Sequence, residues 1–113
     1  MRYRKPLVII SGEIKTPPFS EEARMEAGFL LGMLQMGSMP TMPQARPMPD
    51  IGRRCVELRV KDKTAEWRIV CRTDDDAVLV AHVFSKKTQQ TPKSVIAVCK
   101  ARLKDYDTKT GEL

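Results

Sequence analysis

Between Cys55 and Phe84 the chain is written in period two, and that pattern constrains the fold more than any other feature. Cys55 to Val60 alternates, with Val56, Leu58 and Val60 on one side and Glu57 and Arg59 on the other. Lys61 to Ala65 is a polar turn, after which Trp67, Ile69 and Cys71 alternate with Arg68, Val70 and Arg72. Asp74-Asp75-Asp76 makes a second charged turn. Ala77 to Phe84 is then almost wholly apolar, as expected of a central strand covered on both faces. Strands this short, joined by turns this short, pair as an antiparallel three-stranded meander.

The flanks read as helix. Leu7 to Ser11 is a short strand rich in branched residues, and Thr16-Pro17-Pro18 is a stiff connector. Ser20 suits an N-cap, Glu21 and Glu22 suit the positive first turn, and a long helix runs to about Met36. Gly37 suits the position just past its end. From Ala27 to Met36 only Gln35 is polar, so this helix needs cover on more than one side, and a protein partner or a second copy could supply part of it. Gly28 and Gly32 are expected to serve close packing in the core. Ser38 to Gly52, with four prolines and three methionines, is expected to hold no regular element. After a polar loop, Thr91 is expected to cap a last helix with Pro92 at its first position. Val95, Ile96, Cys99 and Leu103 form its apolar stripe, and Lys93, Lys100 and Lys104 its wet face. The whole is one α+β domain over residues 1–107, with 108–113 a frayed tail.

With 113 residues the chain can bury a core without staples. Its three cysteines, Cys55, Cys71 and Cys99, each sit in an apolar run, none in a C-x-x-C pair, and read as small buried hydrophobes of a reducing compartment. No apolar stretch is long enough for a signal peptide or a membrane span, so a cytoplasmic protein is expected. The net charge of +6 is unevenly placed. Residues 53–104 carry thirteen bases and six acids, and Ala77 to Lys104 holds six bases and no acid. A one-sided basic surface of this kind suits phosphates.

Catalytic chemistry is harder to find. One histidine and three dispersed cysteines supply no recognisable metal set, and no Gly-rich phosphate loop occurs, so neither metal nor cofactor is expected. His82 lies within an apolar strand and reads as a packed core residue. What remains is a cluster of cations. Arg59 and Arg68 lie on neighbouring strands, on the faces opposite their apolar neighbours, and Arg72 follows Arg68 on the same face; the three can converge on one hollow, and Arg68 is expected to face solvent. Lys86, Lys87 and Lys93 stand beside the positive end of the last helix, where an anion would relieve their repulsion. Such a patch can bind RNA, and it can also cleave it without metal by stabilising the charge that builds as a 2′-hydroxyl attacks its own phosphate. No general base stands out.

Three segments, Val56-Glu57-Leu58-Arg59-Val60, Trp67-Arg68-Ile69-Val70 and His82-Val83-Phe84-Ser85-Lys86-Lys87-Thr88-Gln89-Gln90-Thr91-Pro92, resemble the phage-derived, HigB-like branch of the RelE/ParE toxin superfamily. The resemblance covers about residues 52–107 well and the first half in outline. It implies a RelE-like α+β fold and the toxin of a type II toxin–antitoxin module, a ribosome-dependent mRNA endonuclease partnered by a helix-turn-helix antitoxin. By position it assigns catalysis to Arg68, Arg59 and Lys87, with Arg72, Lys86, Lys93 and Lys100 as phosphate contacts. Two departures stand out: Glu57 replaces a further base, and the loop before the last helix lacks the catalytic tyrosine or histidine of better-known members. Tyr106, at a helix end, reads as structural. The endonuclease is the leading expectation, and these departures motivate the alternative of a non-enzymatic binder on the same fold, either a gyrase-directed ParE-like toxin or an RNA-binding remnant.

Overall fold

The computed structural model describes residues 4–11, 19–63, 65–86 and 91–111. The elements are β1 (Leu7–Ile9), α1 (Glu21–Gln35), β2 (Ala45–Pro47), β3 (Cys55–Lys61), β4 (Glu66–Thr73), β5 (Val78–Lys86) and α2 (Lys93–Thr110). They build one five-stranded sheet in the order β1-β5-β4-β3-β2, with β1 parallel to β5 and every other pair antiparallel. The fold is α+β, with one helix on each face of a mixed sheet.

Period two explains how the faces are divided. In β3 and β4, Val56 faces Cys71, Leu58 faces Ile69 and Val60 faces Trp67 across the ladder. These side chains pack beneath Ala23, Ala27, Leu30 and Leu34 of α1. The alternate residues Cys55 and Val70 join Leu79, Ala81, Cys99 and Leu103 beneath α2. A bulge in β5 sets Val80 opposite Cys71 but His82 opposite Val70, leaving Ala81 as the extra residue. Its carbonyl accepts from Arg102 Nη1 at 2.8 Å, so α2 satisfies the group that the bulge leaves over.

α1 ends as its sequence dictates. The Ser20 hydroxyl accepts from Ala23 N at 3.1 Å, and Asp62 ties the same end down by accepting from Ser20 N at 2.9 Å. At the far end Gly37 adopts φ 83°, Ser38 N donates to the Met33 carbonyl and Gly37 N to that of Leu34. This is a Schellman cap, which needs the left-handed residue glycine supplies.

Several expectations need correction. Residues 38–52 are not free of regular structure, because Ala45–Pro47 forms the β2 edge strand against β3. Thr91 does not cap α2. Pro92 holds the N-cap position without a side-chain hydrogen bond, and the Thr91 hydroxyl donates to Glu57 Oε2 at 2.6 Å instead. Residues 108–110 are helical rather than frayed. An Asp105–Lys109 ion pair at 3.0 Å supports this last turn, and Thr108 and Thr110 hydroxyls donate to carbonyls one turn back. Gly28 faces open space and Gly32 lies under the Arg4 guanidinium, so neither serves core packing. Among the described residues no helix is long and apolar enough to cross a membrane.

Candidate nucleic-acid interface

Arg59 and Arg68 stand directly opposite each other on β3 and β4, on the face that carries α2. Two guanidinium groups this close repel, and carboxylates relieve them. Arg68 Nη1 donates to Glu66 Oε1 at 2.8 Å, and its Nε lies 3.3 Å from Glu57 Oε1. Arg59 Nε lies 3.9 Å from the same oxygen. The hydrogen bond from Arg68, then the charges around it, holds the Glu66 carboxyl below the ordinary range. Glu57 is fully buried and Arg68 is 3% exposed. Arg68 therefore does not face solvent as its strand pattern implied. The opposite face of the sheet is not wet; α2 and the 48–55 segment cover it.

Arg72 is equally committed. Its guanidinium donates to both oxygens of Asp74, at 2.8 and 3.0 Å, and to both of Asp107, at 2.9 and 2.6 Å. The hydrogen bonds to Asp107 outweigh burial and push its pKa further up, while the same contact draws that of Asp107 down. Arg72 is thus a clamp between the β4–β5 turn and the C-terminal half of α2. It is not a free phosphate ligand, and four residues of strand place it about 13 Å from Arg68. The single hollow expected to gather these cations does not form.

The cations gather elsewhere. A groove of about 530 Å³ opens between the 51–54 turn and α2, with Ile51 and Leu103 among its lining residues. Arg53, Arg54, Lys100 and Lys104 line it beside the Arg72–Asp107 clamp. All four are exposed. Lys100 and Lys104 share a helix face by i,i+4 spacing, and exposed Lys93 lies on that face two turns earlier, about 10 Å away. Arg54 adopts φ 61°, a left-handed conformation unusual for arginine, and its carbonyl accepts from Thr73 N at 3.0 Å. Arg53, Arg54 and Lys104 were absent from the residues expected at a site. The one sequence signal was Arg53-Arg54 directly after a glycine at the end of the proline-rich segment. Lys87 lies outside the described residues, as does the side chain of Lys86.

A family model for "Phage derived protein Gp49-like (DUF891)" matches residues 17–104, most of the chain. The protein belongs to the Gp49-like family. That family is part of the RelE/ParE-like toxin superfamily. No curated protein and no solved structure matches the chain.

Among the described residues of this Gp49-like domain, the remaining reactive groups are buried or hydrogen-bonded. Nδ1 of His82 lies 2.8 Å from Arg102 Nη1, which makes that nitrogen the acceptor, and its ring stacks on Phe84 at 5.5 Å. Burial, then the Arg102 charge, lowers its pKa. Cys55, Cys71 and Cys99 are buried thiols, and desolvation raises the pKa of each, Cys99 to about 11. Tyr106 packs into the α2 core. Among the described residues no group of histidines, cysteines and carboxylates could hold a metal. The described surface is equipped to hold anions; it displays no ready acid–base pair.

Proposed function

We propose that this Gp49-like protein is the toxin of a toxin–antitoxin pair and that it acts by gripping RNA, with messenger RNA on the ribosome as the target. The observation that carries the reading is the groove lined by Arg53, Arg54, Lys100 and Lys104, in which four exposed cations flank an open hollow of about 530 Å³. Membership of a toxin superfamily supports the same direction. Binding of this kind releases counterions, so affinity falls with salt by a slope of about 0.7 per phosphate contacted on a single strand.

Cleavage by a HigB-like mechanism is the second reading, and the facing Arg59–Arg68 pair favours it. These guanidiniums, with Lys87 next in sequence after β5, would have to be released from Glu57 and Glu66 to meet a phosphorane. Growth arrest on expression, with salt-steep binding of a fluorescein-labelled single-stranded RNA by the purified chain, is the expected result. Transcripts cut in the ribosomal A site with cyclic phosphate ends would select the nuclease reading. Inhibition of gyrase supercoiling with no affinity for RNA would remove RNA as the target and move the protein to the gyrase-directed branch. The absence of both growth arrest and RNA binding would defeat the toxin reading itself.

A further inference from the structure

α1 and its C-cap carry two seams, and only one of them is covered. Ala23, Ala27, Leu30 and Leu34 are buried against β3 and β4. On the opposite side Glu22, Met25, Phe29, Gly32 and Met36 repeat at alternate steps of three and four residues, the spacing of a helix-pairing stripe. Met25 is 70%, Phe29 69% and Met36 37% exposed, so three large apolar side chains stand in one row on water. Beside them Gly28 is exposed with no atom within 4 Å of where a Cβ would stand, which leaves room for a second helix to come close. Charge is divided along the row. Glu21, Glu22 and Glu26 are exposed at its start. At its far end the exposed Arg4 guanidinium lies over Gly32, 3.2 Å from the Cβ position, with its Nη2 3.4 Å from Gln35 Oε1.

We infer that this row pairs with the same row of a second copy of the chain, the two helices running antiparallel. Charge selects both the occupant and the order. In antiparallel order the Glu21–Glu22 end of each copy meets the Arg4 end of the other, twice over by two-fold symmetry. Parallel order sets acids against acids. The helix dipoles favour the same choice, since each positive end lies beside a negative one. α1 is also where two such chains repel least, because the protein carries +6 while α1 holds three acids and one base. Those acids repel a nucleic acid.

The size of the contact sets its strength. Fifteen residues of helix span about 22 Å, and two such helices bury about 1,000 Å² in total, at the low end for a specific interface. The dimer is therefore weak, with a Kd in the micromolar range. The basic groove lies against α2, on the other face of the sheet, so pairing leaves both grooves open.

The test is sedimentation equilibrium of the full purified chain, whose mass should rise from monomer to dimer between about 5 and 500 µM. Phe29→Glu should weaken association roughly a hundredfold, because two charges enter the apolar row of each dimer. Arg4→Glu, and separately Glu21→Lys with Glu22→Lys, should each weaken self-association roughly tenfold or more by setting like charges together at both ends. An equimolar mixture of those two variants should pair again, since opposite charges then meet at both ends. All the replaced side chains are exposed, so circular dichroism should find the variants folded; if the lysine variant melts, Arg4→Glu and Phe29→Glu carry the test. A dimer indifferent to Phe29→Glu, or a mixture that pairs no better than its components, overturns the inference. A monomer at every concentration also overturns it and leaves the row to a different protein. Affinity for RNA should be the same in Phe29→Glu, so failure of the RNA reading leaves the dimer standing.

Discussion

Replacing Arg68 by alanine should unfold much of this protein's stability margin before it says anything about chemistry. Arg68 is 3% exposed and ion-paired with fully buried Glu57 and with Glu66. Removing one partner of a buried pair typically costs about 3–5 kcal/mol, because the other charge stays in a poor dielectric. Here the low end applies: Glu57 keeps Arg59 at 3.9 Å and the Thr91 hydroxyl at 2.6 Å, and Glu66 is partly wet. A loss of about 3 kcal/mol is large against the roughly 5–15 kcal/mol total of a domain. At about 4 °C per kcal/mol it lowers Tm by about 12 °C. In urea, with a slope of about 1.5 kcal/mol/M, the midpoint falls by about 2 M. The double change Glu57→Gln with Arg68→Met should recover more than half of this, since the charges are removed together. A midpoint shift under about 0.5 M for Arg68→Ala would refute the buried-network reasoning and return Arg68 to the solvent-facing role its strand pattern suggested. Loss of toxicity in Arg68→Ala is evidence of catalysis only if the variant is shown to be folded.

Lys100→Ala with Lys104→Ala should leave Tm within about 2 °C and reduce the salt slope of RNA binding by about 1.4, two phosphate contacts' worth; an unchanged slope removes α2 from the interface. Asp62 accepts from Ser20 N, Lys63 N and the Trp67 indole, and the hydrogen bond from Ser20 leads in drawing its pKa to about 2. A lowered folded pKa stabilises the fold above the ordinary carboxylate range and is lost as pH falls toward 2, so Asp62→Asn should flatten the acid limb of a Tm–pH curve; an unaltered limb below pH 4 contradicts it. Met25 and Phe29 project from α1 at 70% and 69% exposure. Met25→Ser with Phe29→Ser should cost under about 1 kcal/mol as a monomer, whereas a dimer lost on sizing chromatography would identify α1 as its interface.

What was legible in the sequence was local. Ser20 and Gly37 marked both ends of α1 because caps depend on a single hydroxyl and a single left-handed residue. The alternation in β3 and β4 located the strands because pleating is a property of each strand. β2 was missed because three residues including Pro47 carry almost no strand signal, and β3 supplies the pairing. The site failed for a reason of range. Period two separates two faces but does not say whether the second is wet, and that depends on α2 crossing it. The fate of Arg72 was set by Asp107, thirty-five residues on. Arg53 and Arg54 looked like loop arginines because their groove exists only where α2 supplies its other wall.

The basic character of the chain therefore sits in a different place from the one its strands suggest. Covering both faces of the sheet forces the arginines at its centre to find partners, and the acids nearest in space are consumed doing so: Glu57 and Glu66 on Arg68, Asp74 and Asp107 on Arg72. Arg102, from the acid-free stretch, turns inward to the Ala81 carbonyl and His82. The surplus charge is left to side chains that reach solvent, and of these Lys93, Lys100 and Lys104 along α2 and Arg53 and Arg54 on the turn beside it lie together, while Arg4, Arg24, Arg46, Lys61 and Lys63 are exposed elsewhere. Among the described residues the five on α2 and the turn have no carboxylate within ion-pair range except where Asp74 approaches Arg54 at 3.5 Å, a contact more than half exposed on the arginine side and weak for that reason. A polyanion approaching the protein therefore meets its uncompensated field along one helix and one turn, which is a track with a direction, and not at the centre of the sheet.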